Sequence, residues 1–168
     1  MVTQIPHALV ELLFIRAVSL LPVAASLSAA APAPNASGSR RPADSGIEQR
    51  WEVLWGSAIE RLDQPGEAES WGLRYGLEGI NVDELRHWSN SVVQSINDVA
   101  AEYHHAPETI LRQQLESASL RGLRSLVVIP VGGHYASKVS PQGRHLLIST
   151  ATYVDVSALR QAVEDFVA

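Results

Sequence analysis

The sequence predicts an α+β domain in which a short antiparallel or mixed sheet, built on a β-hairpin over about 124–154, is covered by about four helices. Three observations carry that expectation. Leu126–Val131 is a continuous, largely β-branched apolar run of the kind buried on both faces of a sheet. His145–Val154 separates two faces, with Leu146, Ile148, Thr150, Thr152 and Val154 on one and His145, Leu147, Ser149, Ala151 and Tyr153 on the other. Upstream, Leu85, Trp88, Val92, Ile96, Val99 and Tyr103 recur at helical spacing, the longest periodic signal in the chain.

In chain order, residues 1–31 read as a signal peptide or apolar N-terminal segment: the stretch after Arg16 is rich in Ala, Leu and Val, and Ala29 and Ala31 stand in an A-x-A arrangement. Glu11, Arg16 and Pro22 interrupt it and argue against a stable membrane span. The expected destination is therefore export, with cytoplasmic residence as the alternative and membrane association only through an uncleaved N-terminal segment. Residues 32–44, dense in Pro, Ala, Ser and Gly, read as a linker. The globular domain is then expected over 45–168. Ser45 and Glu48 have capping-box spacing, and Ile47, Trp51, Leu54, Trp55, Ala58 and Leu62 extend a helix to about Asp63, its two tryptophans read as core. Trp71–Leu77 alternates large apolar residues with Gly72, Arg74 and Gly76, which predicts a third strand beside the hairpin. Asn81 caps the long helix, a break is expected at His104–Ala106, and a third helix runs from about Pro107 to Leu120. The connection Gly132–Gly143 has no helical pattern and includes Pro141, which predicts antiparallel closure of the two strands around it. Asp155 caps a final helix whose inner face is Val156, Leu159, Val163 and Phe166.

Length and composition bound the function. At 168 residues, 46% hydrophobic and 18% charged, the chain can bury one core without staples, and the absence of cysteine excludes a disulfide framework and Cys-ligated metals. A net charge of −5 disfavours nucleic acid as a partner. The charge is unevenly spread: Ser117–Val154 contains Arg121, Arg124, Lys138 and Arg144 and no carboxylate, so it carries +4 against −9 elsewhere.

That asymmetry supplies the candidate site. Antiparallel closure would gather Gly133, His134, Lys138, Arg144 and His145 at one end of the sheet, where basic side chains and the Gly132–Gly133 amides suit phosphate, carboxylate or sulfate. A nucleotide loop is excluded: Ser137 stands for the second glycine of the phosphate-binding motif, Val139 for its magnesium-holding hydroxyl residue, and Pro141 falls where its helix would start. His134 and His145 are the only histidines placed to pair, but no ligand spacing supports a metal, and no cofactor is expected. The expected function is thus a non-catalytic binding or interaction module that holds an anionic small molecule or an acidic protein surface. The alternative is a hydrolase or transferase acting on a phosphate- or carboxylate-bearing substrate, with His134 and His145 as acid and base. A homo-oligomer formed through an open sheet edge is a third expectation.

Overall fold

The structure, a computed structural model, describes residues 1–35, 37–41, 45–64, 66, 68–102, 107–139 and 142–168. It is α+β, with a four-stranded mixed sheet of order β1-β2-β4-β3, formed by β1 (Val2–Gln4), β2 (Ser125–Ile129), β3 (Ala136–Val139) and β4 (His145–Ser149). All residues of β2 and β4 are buried, as a sheet covered on both faces requires.

The apolar N-terminal stretch lies in the centre of this body. Its helix α1 (His7–Val18) carries Leu9, Val10, Leu12, Leu13, Phe14 and Ile15, all essentially without solvent contact. Burial of each contributes roughly 1.5–3 kcal/mol. The two charges that interrupt the stretch both have structural partners. Glu11 Oε1 accepts from the Gly72 amide at 3.2 Å, while the Arg16 guanidinium donates to the carbonyls of Ala24, Leu27 and Ser28 and closes the turn after the helix. No helix of the described residues is long and apolar enough to cross a membrane.

Helices α2 (Ile47–Glu60) and α4 (Val82–Glu102) pack on α1. Trp51 of α2 is buried as core, donating from its indole to Leu12 O at 2.6 Å and stacking on Trp55 at 4.9 Å. On α4, Trp88 tilts against Phe14 at 5.8 Å. The capping box expected at Ser45 and Glu48 does not form: Gly46 is the N-cap, and Glu48 pairs with Arg41 instead. Asn81 does cap α4, accepting from the amides of Asp83 and Glu84. Glu84 turns away to receive Ser37 Oγ, the Gly38 amide and Ser39 Oγ, which pins the Ser37–Ser39 part of the linker to the body. The Ser39 hydroxyl, resisted by desolvation and helped by Gly38 and Ser37, holds the Glu84 carboxyl below its ordinary value.

Three expectations about local structure are corrected. Trp71–Leu77 is not a strand; α3 (Trp71–Tyr75) is a short helix, capped by Ser70 and stopped at Gly76 with φ +73°. Its period of two is also compatible with one helical turn, because Trp71 and Tyr75 are four apart and their rings meet at 4.9 Å. The second strand ends at Ser149 rather than Val154, since Ser149 accepts from the Thr152 amide and starts α7 (Thr150–Val154). The helix expected over Pro107–Leu120 divides at Leu111 into α5 (Pro107–Ile110) and α6 (Arg112–Leu120). The break expected at His104–Ala106 lies outside the described residues.

The largest correction concerns the hairpin. β2 and β4 are parallel, with Ser125 opposite His145 and Ile129 opposite Ser149, because the connection contains a strand of its own. The chain runs up β2, passes over the end of β4's position, descends as β3 at the sheet edge, and returns as β4 between the two. The antiparallel hairpin is therefore β3–β4, in register from Ala136↔Ile148 to Val139↔His145. One face of the sheet meets the turn after α2, where Asp63 reaches His145; on the other, Lys138, in register with Leu146, lies over the Phe166 ring at 5.1 Å. Phe166 belongs to α8 (Val156–Val167), whose cap is Asp155 as the sequence predicts, and α8 packs on α6.

Candidate functional site

Parallel pairing splits the expected basic cluster between the two ends of β4. Lys138, Arg144 and His145 belong to the end where β2 and β4 begin, while Gly133 and His134 sit on the connection that crosses the other end. Four residues of strand at about 3.3 Å each put roughly 13 Å between those ends. His134 and His145 therefore do not converge, and cannot serve one reacting atom or one metal ion. Among the described residues, no group of three or more His, Cys, Asp or Glu side chains is arranged to hold a metal.

At the crossing end the loop is fastened rather than open. The Gly132 amide, expected as a free anion donor, binds Ala29 O at 2.9 Å. Ser149 Oγ donates to Gly133 O at 2.7 Å, and the Tyr135 amide is shared by Ser149 Oγ and Thr152 Oγ1. Gly133 takes the left-handed φ of +68° that lets the chain turn down into β3. His134 is exposed, with Nε2 at 3.8 Å from Asp155 Oδ2, a solvated contact beside the α8 cap.

At the strand-start end the side chains are organised. The Arg124 amide donates to Arg144 O at 2.8 Å, so two arginines leave neighbouring strands side by side. The next residues of β2 and β4 join a polar chain. Gln4 Nε2 donates to Ser125 Oγ at 2.8 Å, Ser125 Oγ meets His145 Nδ1 at 2.7 Å, and His145 Nε2 faces Asp63 Oδ1 at 3.2 Å, off the line of an aligned hydrogen bond. Asp63 also accepts from Arg124 Nη1 at 3.3 Å. Desolvation raises the Asp63 pKa, but His145 and Arg124 outweigh it and hold the carboxyl below its ordinary value.

The order Ser125, His145, Asp63 resembles a nucleophile, base and orienting acid, yet the groups are placed for structure. Ser125 and His145 are 3% and 1% exposed, so a substrate carbonyl has no path to the serine oxygen, which is also occupied by Gln4. The chain instead ties β1, β2 and β4 to the turn after α2. Of its members only His145 was singled out from the sequence. Asp63 marked a helix end, Gln4 lay in the apolar leader, and only the parallel register places Ser125 beside His145; no spacing rule could have joined them. Comparison with protein-family models, with curated proteins and with solved structures finds no match to this chain.

Proposed function

We propose that the protein is a non-catalytic binding module whose contact surface for an anionic ligand or an acidic partner is the strand-start end of the sheet, with Arg124, Arg144 and Lys138 as its basic groups. The observation that carries this reading is the backbone bond from Arg124 to Arg144, which makes two arginines neighbours where adjacent strands begin. Arg121, three residues before Arg124, reaches Val167 O and adds a further positive charge nearby. His145 supports the surface by holding Asp63 and does not itself face a ligand. Gly133 and His134 have no part in it. Export remains a separate proposal, to be decided by sequencing the N-terminus of the mature protein.

Titration with sulfate, inorganic phosphate, citrate and an oligo-glutamate peptide tests the reading. Arg144→Ala is expected to weaken the best binder about tenfold and to reduce its salt dependence, as removal of one charge-assisted contact does. Arg124→Ala, which also frees Asp63, should weaken it at least as much. Equal affinities in the wild type and both variants across the panel overturn the proposal.

A further inference from the structure

We infer that the protein has a second, separate site, a cavity at the β1–α1 junction that takes a small organic carboxylate. The cavity, about 290 Å³, lies between the residues that lead from β1 into α1 and those that leave α2, and it is distinct from the basic strand-start surface. Ala58 and Leu62 give it an apolar wall, while Gln4, His7, Arg61 and Ser70 supply the polar groups. No Asp or Glu is among the described residues that line it.

Three of those polar groups have defined states. Among the described residues Arg61 has no ion-pair partner and no side-chain hydrogen bond, unlike Arg41, Arg74 and Arg124, each of which has a carboxylate partner. An unpaired guanidinium at the mouth of a cavity with apolar walls favours a planar anion, and a carboxylate matches its fork of donors. Ser70 Oγ already accepts from the Leu73 amide, so its own proton is left to donate. Gln4 is fixed by its bond to Ser125 and does not need to reorganise when the cavity fills. The apolar wall distinguishes a carboxylate with a short hydrocarbon body from inorganic phosphate, which would leave Ala58 and Leu62 uncovered. At this volume the ligand belongs to the small end of the range for such sites.

Because Gln4 both lines the cavity and begins the chain Gln4–Ser125–His145–Asp63, occupancy should be sensed by the His145 ring without any contact to it. Titration of the full chain with benzoate and with hexanoate, followed by NMR of the backbone amides and imidazoles, tests the site. The expected result is saturable shifts at Gln4, His7, Arg61 and Ser70, with a smaller one at His145. Arg61→Gln, at an exposed position, should retain the wild-type melt and lose about tenfold in affinity, whereas Arg160→Gln on α8 should bind as the wild type does. Shifts confined to Arg124 and Arg144 would overturn this site and favour the strand-start surface alone. Absence of saturable shifts, or equal affinity in Arg61→Gln, would also overturn it; neither result touches the strand-start proposal.

Discussion

The apolar N-terminal stretch and the carboxylate-free stretch 117–154 are the two regions that stand out in composition, and they fold in opposite ways. The first becomes a single compact element: nine residues of α1 are buried, Arg16 is held by nearby carbonyls, and Glu11 accepts from the distant Gly72 amide through Oε1 while Oε2 is buried with no hydrogen-bond partner among the described residues. The second is divided by a chain that reverses twice: Arg124, Lys138 and Arg144 stay at the end where β4 begins, while Gly133 and His134 are carried to the other. Hydropathy over a short window marks such a stretch as one that leaves water, but does not tell a leader from a core helix, and here it reads as a leader. Convergence of side chains depends on strand direction, which a window cannot see.

The strongest way to break that comparison is to remove the first region. A chain starting at Pro32 loses β1 and α1, and with them the contacts of Trp51, Trp88 and Gly72. It is expected to show no cooperative thermal transition, and a sharp melt would show that α1 is dispensable. Within the full chain, Phe14→Ala should cost about 3–5 kcal/mol, read as a shift of the urea midpoint. The truncation also bears on export: cleavage after Ala31 would leave this same chain without β1 and α1, so a folded mature protein beginning there would require a core different from the one seen.

In the second region the crossing loop is fastened at Ser149. Its hydroxyl joins the crossing loop to β4 through Gly133 O and the Tyr135 amide, and it caps α7 through the Thr152 amide. Ser149→Ala leaves Gly133 O without its donor and is expected to destabilise by about 1–3 kcal/mol. Hydrogen exchange should quicken at Tyr135 and along β3 while α1 is unchanged. Loss of protection spread evenly over the protein would show that the loop is not an independent fastening.

The legible parts of this fold were those set by local chemistry. The buried run of β2, the stripe of α4, the Asn81 and Asp155 caps and the burial of Trp51 all follow from side-chain type and period. The illegible parts depended on partners distant in sequence. Four residues, Ala136–Val139, are too short to announce β3, and without β3 the connection between β2 and β4 has no reason to be parallel. Trp71–Tyr75 misled because a single helical turn samples too few residues to separate a period of two from one of 3.6. At the candidate site, Lys138, Arg144 and His145 do lie near one end of β4, though Lys138 and His145 point to opposite faces, whereas His134 and Gly133 were assigned there only through the wrong strand direction.

The smallest expected effect lies at Asp63, where a carboxylate from the acidic remainder of the chain meets the basic stretch. Its carboxyl is held below its ordinary value in the folded protein, so in acid the unfolded chain takes up that proton first. The contribution to stability is therefore fully present above the ordinary carboxylate pKa, about 4, and is lost as pH falls through the lower folded value. Asp63→Asn should lower the melting temperature slightly at neutral pH, and the difference from wild type should close as the solution is acidified. Added salt should also shrink it, since Asp63 is one third exposed and Arg124 more than half. A difference that persists unchanged in acid would mean that Asp63 acts through packing rather than charge, and that the two regions are joined at this point by shape alone.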